Sequence, residues 1–157
     1  MMRVLVTGSR DLTDRQAVYK ALNQLYWRLE PGTLLVVTHG ANRRGADRYA
    51  SEWADRHENV LNDRHPADWH GPCRPECKPG HRRPSKSGRP FCPAAGDFRN
   101  QEMVDLKPRV VLAFFQPGAL NKGTKDCADR AYWAGLDVVS YPADAWRRPS
   151  SRPVRLW

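Results

Sequence analysis

The chain holds no apolar run approaching the roughly 20 residues that a membrane-spanning helix needs, and no secretory apolar stretch follows Met1-Met2-Arg3-Val4 before Gly8. A soluble, cytoplasmic protein without membrane association is therefore expected. It lacks a GxGxxG turn after its first apolar run and has no lysine-bearing GxxxxGK[ST] loop, which sets aside the standard dinucleotide and triphosphate fingerprints. Acidic residues are few, 17 against 26 Lys and Arg, for a net charge of +9. That deficit is local. Residues 71–95 carry Arg74, Lys78, Arg82, Arg83, Lys86 and Arg89 with Glu76 as their only acid, and residues 145–157 carry Arg147, Arg148, Arg152 and Arg155 with none. The remaining body is balanced, so bulk positive charge is not what a folded core would use to bind a ligand.

What is present suits one compact domain: 157 residues, 40% of them hydrophobic. Short, nearly continuous apolar runs at Met2–Thr7, Thr33–Thr38, Arg109–Phe115 and Leu136–Tyr141 read as strands buried on both faces, with a weaker strand near Asn59–His65. Helical patterns alternate with them. Val18, Leu22, Leu25 and Leu29 make one apolar face within Asp14–Glu30, which Pro31-Gly32 should stop. Gly45–His57, Asp97–Leu106 and Thr124–Trp133 are the other three. Strands alternating with helices predict an α/β, Rossmann-like, open and mostly parallel sheet flanked by helices. The expected domain spans residues 1–146, interrupted at 70–95 by an insert and followed by a basic tail at 147–157. Leu156-Trp157 of that tail is a candidate docking element.

In such a sheet ligands bind beyond the carboxyl ends of the strands. The first strand exits into Thr7-Gly8-Ser9-Arg10, where Gly8 permits a tight turn and Arg10 offers a fork for phosphate or carboxylate. The second exits into His39-Gly40, then Gly45-Ala46-Asp47 at a helix start, where amides and a helix N-terminus favour an anion. The run Arg109–Phe115 leads to Pro117-Gly118 and Gly123-Thr124, again at a helix start. Each has an ordinary alternative: a strand-to-helix turn at Gly8-Ser9, and acid or hydroxyl in a helix's first turn at Asp47 and Thr124. Their shared edge makes a phosphate- or ribose-containing ligand the best physical expectation.

These motifs, together with His65-Pro66-Ala67-Asp68-Trp69, Arg99-Asn100-Gln101-Glu102-Met103-Val104 and Asp126-Cys127, resemble the YspA-type, circularly-permuted-YpsA-related branch of the SLOG superfamily. The resemblance implies a Rossmann-like domain that binds nucleotides or nucleotide-derived small molecules. It also implies a distant similarity to LOG-type phosphoribohydrolases, which cut a nucleoside 5′-monophosphate between base and ribose phosphate. Arg99 and Met103 match their arginine and methionine. Their glycine-rich PGGxGTxxE loop is matched only loosely by Pro117–Cys127, with Cys127 at the place of the catalytic glutamate. Asp126 stands one residue early, rotated by roughly 100° on a helix. A thiol cannot stabilise the cation that glycosidic cleavage builds on ribose, so binding without turnover is favoured, with Arg99 and Asp126 as candidates if chemistry occurs. The alternative for Cys127 is a small core residue beside Ala128 and Ala131.

The insert carries six prolines and, among large apolar side chains, only Phe91, too little to offset its own ordering entropy. It also holds Cys73, Cys77, His81 and Cys92. Clustered cysteines in an intracellular α/β protein bind metal more often than they pair, and a closed Cys₃His set is a structural zinc site. A disulfide, free thiols, or His65 or His70 in place of His81 are the alternatives.

Three functions follow in order. The first is a nucleotide-ligand-binding protein, a sensor, carrier or sequestering protein, with Gly8, Ser9, Arg10, His39, Gly40, Gly45, Asp47, Arg99, Gly123 and Thr124 at the site. The second is a nucleoside-monophosphate N-glycosidic hydrolase. The third is nucleic-acid binding through the basic insert and tail. An isologous homodimer is the usual oligomer for such a chain.

Overall fold

A computed structural model describes residues 1–150; the expected docking residues Leu156 and Trp157, with Arg152 and Arg155, lie outside the described residues. The elements run β1 (Met2–Gly8), α1 (Arg15–Tyr26), β2 (Leu35–His39), α2 (Gly45–Asp55), β3 (Val60–Arg64), α3 (Ala95–Asp105), β4 (Val110–Phe114), α4 (Lys122–Trp133) and β5 (Val138–Tyr141). All five strands are parallel, in the order β3-β2-β1-β4-β5. The chain thus builds outward from β1 to β3, then crosses back through α3 to build the other half. The direction of winding reverses between β1 and β4, which is where an open α/β sheet leaves a crevice.

The pleat distributes side chains between two helical layers. Val4, Val6, Leu35, Val37, Leu112 and Phe114 pack against α1 and α2, while Leu5 and Val111 meet Met103 and Val104 of α3 and Cys127 and Ala131 of α4. Strands covered on both faces explain their unbroken apolar runs. Trp53 anchors α2: it is fully buried, donates from Nε1 to Asn23 Oδ1 at 2.9 Å and stacks on His57. Truncating it to alanine would cost about 3–5 kcal/mol.

Several boundaries differ from expectation. The carboxylate of Asp14 accepts from the Ala17 amide and caps α1, but the helix ends at Tyr26, and Arg28 and Leu29 close tighter turns before Pro31. The fourth helix begins at Lys122, placing Gly123 and Thr124 inside its first turn instead of before it. The third begins at Ala95, so the insert ends directly in helix. Beyond β5, Trp146 folds back onto α4, donating from Nε1 to the buried Asp129 at 2.9 Å. Among the described residues, no helix is long and apolar enough to cross a membrane.

Candidate functional site

At the reversal point the loops after β1, β2, β3 and β4 enclose a cavity of about 690 Å³ together with α3 and the start of α4. The β1 exit forms one wall. Its turn is tight because Gly8 has no side chain: a Cβ there would strike Ala46 and stand 2.9 Å from the Phe114 carbonyl. The Ser9 amide donates to that same carbonyl at 3.0 Å, and its hydroxyl accepts from the Asp11 amide. Arg10 and Asp11 complete this wall, with Asp11 paired to Arg44 at 2.6 Å.

The second wall comes from Gly40, Asn42 and Asp47, tied to α3 by Arg99. The Arg99 guanidinium donates to the carbonyls of Gly40 and His65, and its Nε donates to Asn100 Oδ1 at 3.0 Å. Gly40 must lack a side chain here, since a Cβ would lie 2.5 Å from Arg99 Nη1. Burial pushes the Asp47 carboxyl above its ordinary value of 3.8, against the opposing pull of His39, the Asn42 amide and Arg99.

The start of α4 makes the third wall. Asn121, at φ 52°, spends its side chain bridging the Gln116 amide and carbonyl, so no side chain caps the first turn of the helix. Lys122, Gly123, Thr124 and Lys125 line the cavity there. Asn100 reaches across from α3, donating to the Gly123 carbonyl at 3.2 Å and to Asp126 Oδ2 at 3.1 Å. Asp126 also accepts from Arg130 at 2.8 Å, and Lys125 pairs with Asp129.

Of the residues singled out in sequence, Gly8, Ser9, Arg10, Gly40, Asp47, Arg99, Gly123, Thr124 and Asp126 all line this one cavity. His39 and Gly45 do not. His39 is buried on the α2 side of β2; its Nδ1 accepts from the Ala41 amide, which leaves Nε2–H to donate to Asn62 Oδ1 at 2.7 Å. Burial lowers its pKa from the ordinary 6.5, so the ring is neutral at pH 7. Gly45 serves close packing: at φ 68° it brings α2 against the β1 exit, where a Cβ would collide with the Ser9 carbonyl. Sequence reasoning assigned no role to Trp69, Asn42, Asn100 or Asp129, all of which line the cavity. Cys127 is fully buried among Leu5, Met103, Val111 and Ala131, hydrogen-bonded to Thr7, and burial pushes its thiol up to about 12.

The ligating atoms of Cys73, Cys77, His81 and Cys92 all lie within 4.8 Å of one another, so the Cys₃His cluster can hold a metal ion. Cys77 Sγ and Cys92 Sγ are 3.8 Å apart, far beyond a disulfide bond and equal to the edge of about 3.8 Å that two thiolates at about 2.3 Å span on a tetrahedral zinc. The Nε2 atom of His81 stands 3.0 Å from Cys73 Sγ and 3.4 Å from Cys92 Sγ. His65 and His70 are engaged elsewhere, with Asp63 and the Pro90 carbonyl. Arg82 backs the cluster, donating to Cys73 Sγ and to the Gly71 and Pro90 carbonyls. Its guanidinium, with His81, brings the Cys73 thiol down to about 7.

The insert does not hang free of the sheet. Its Arg74 pairs with Glu102 and lies over the Phe98 ring at 4.4 Å, both on α3. The Cys92 amide donates to the Trp69 carbonyl at 2.8 Å, closing the excursion where it began.

Comparison with known proteins places this architecture. The family model described as YspA, cpYpsA-related SLOG family matches residues 2–71, from β1 to the start of the insert. The Gene 61 protein of Mycobacterium phage D29 is 38% identical over 147 residues, covering 90% of this chain and 97% of that one. The chain belongs to the YspA, cpYpsA-related SLOG family. No solved structure matches it significantly.

Within this SLOG chain the family-like Arg99 and Met103 both reach the cavity, while Cys127 does not line it. The carboxylate nearest that position, Asp126, is held by Asn100 and Arg130.

Proposed function

We propose that the chain binds a nucleotide or nucleotide-derived small molecule in the cavity at the β1/β4 crevice, as a sensor, carrier or sequestering protein, and does not cleave it. One observation carries this reading. Thr124, 3% exposed as a residue, lines the cavity at the N-terminus of a 12-residue helix that no side chain caps, with a hydroxyl open to the cavity and unengaged by any hydrogen bond among the described residues. A hydroxyl facing a cavity can donate to a ligand oxygen, and free first-turn amides carry partial positive charge. An anionic oxygen would satisfy both. Lys122, Lys125, Arg10 and Arg99 bring cations to a cavity that Asp11, Asp47, Asp97, Asp126 and Asp129 also line, so a phosphate would be held by the helix start and selected cations rather than by net charge. The volume falls within the roughly 300–1,000 Å³ of small-molecule sites.

The chemistry at the position of the LOG-type glutamate disfavours turnover. A glycosidic hydrolase needs a carboxylate beside the ribose. Cys127 offers a neutral thiol in the core, and Asp126 spends its charge on Arg130 and Asn100. Zinc at Cys73, Cys77, His81 and Cys92 would be structural, because four protein ligands leave no open position.

Titration calorimetry with AMP, GMP, CMP and UMP, followed by chromatography for free base, tests the reading. Saturable binding that weakens at least tenfold in Thr124→Val, with no base released, is expected. Base release abolished by Arg99→Ala would establish the hydrolase instead, and no binding of any of the four would overturn the reading.

A further inference from the structure

We propose that Trp69 is a stacking wall of the cavity, so that the site selects a phosphate carrying a planar aromatic base over a bare sugar phosphate. This rests on the cavity reading above and adds to it what the second half of the ligand must be. The lining is mostly polar and charged, yet Trp69 on the β3 exit contributes to it with 42% of its surface exposed. An indole is large and apolar and gains most from being covered, and an aromatic base covers it without demanding a particular hydrogen-bond pattern.

Three contacts fix the ring. Gly96, in the first turn of α3, allows the helix to close on it: a Cβ there would stand 2.9 Å from the indole Cη2. Phe91 meets it edge-on, with centroids 6.2 Å apart at 73°. The Trp69 carbonyl accepts from the amide of Cys92, itself one of the four residues of the Cys₃His cluster that can hold a metal ion. Phe91 and Cys92 both lie in the insert, so the segment carrying the Cys₃His cluster is what holds the platform. A ring held in advance loses little freedom when a ligand lands on it. This gives the insert a role in recognition that its lack of open coordination positions denies it in chemistry.

Two parts of the lining therefore carry different chemistries. The uncapped start of α4 with Thr124 suits phosphate, and Trp69 suits a base.

Calorimetry on the metal-loaded full chain with AMP and with ribose 5-phosphate separates them, using wild type, Trp69→Ala and Trp69→Phe. Wild type is expected to bind AMP at least about tenfold more tightly than ribose 5-phosphate. Trp69→Ala should weaken AMP by about 5- to 150-fold, the range measured for base–aromatic stacking, while ribose 5-phosphate changes less than twofold. Trp69→Phe should recover most of the AMP affinity. A collapsed wall would weaken both probes together, so equal losses in Trp69→Ala overturn the stacking role, as does equal affinity of wild type for the two probes. In either case ribose 5-phosphate binding leaves the cavity reading standing. Binding of neither probe overturns both.

Discussion

The guanidinium of Arg99 on α3 donates to the carbonyl oxygen of Gly40 at 2.6 Å, joining a helix on one face of the sheet to the exit of β2. A second bond at 3.2 Å reaches the His65 carbonyl beyond β3. One side chain thereby closes the rim of the cavity and presents positive charge to it. Arg99→Lys keeps the charge but lacks the planar fork needed for both carbonyls and Asn100. It should lower stability by about 1–3 kcal/mol in urea unfolding and weaken AMP binding, and Arg99→Ala should do more on both counts.

Purified protein should carry one zinc per chain by native mass spectrometry. Stripping it should raise amide hydrogen exchange across residues 70–92, where few apolar contacts remain to hold the segment, and leave exchange in β1 unchanged. Cys77→Ser and Cys92→Ser should each lose the metal.

Thiol titration distinguishes the four cysteines. Cys127, fully buried and pushed up to about 12, should stay silent at pH 8 until the chain is denatured. Cys73, Cys77 and Cys92 should react only after chelation. Replacing Cys127 with glutamate would force a carboxylate among Leu5, Met103 and Val111, so Cys127→Glu is expected to lose several kcal/mol of stability and gain no base release.

Asp63 sets an acid limb. Burial alone would raise its pKa, but hydrogen bonds from His65, Thr38 and Arg3 outweigh it and hold the carboxyl below its ordinary 3.8. Protons therefore bind the unfolded chain more readily. The stabilisation is present above about pH 4 and is lost as pH falls through the folded value. Thermal melts from pH 6 to pH 3 should fall less steeply in Asp63→Asn than in wild type.

Gly45→Ala should be more harmful than a methyl group elsewhere on α2. A non-glycine residue at φ 68° costs about 1–2 kcal/mol, and the added carbon meets the Ser9 carbonyl besides. A loss of at least about 2 kcal/mol in chemical denaturation is expected.

Much of the fold was legible because a buried parallel strand leaves an unmistakable mark. The run Met2–Thr7 became β1 with only Gly8 added, and Leu35–His39 shifted by a residue or two. The cavity was partly legible for the same reason: polar residues that directly follow such strands have nowhere to go but the carboxyl edge. His39 shows the limit. It follows Leu35 and Val37 at a spacing of two, so the pleat turns it toward α2 with them, and that alternation could have been read in advance. Trp69 gave no comparable signal, being one aromatic in an aperiodic segment whose placement depends on Gly96 and Cys92, far along the chain. Asn100 was hidden differently: its clamp on Gly123 and Asp126 exists only because α3 and α4 pack side by side.

Because the amide of Cys92 returns to the carbonyl of Trp69, the intervening segment leaves and rejoins the scaffold at a single point. It is in that sense a graft, whose two stumps already meet. Excising residues 71–90 and bridging the gap with a short turn should yield a smaller, still folded sheet, stripped of its metal and most of its surplus positive charge, and so a scaffold on which other recognition loops can be mounted.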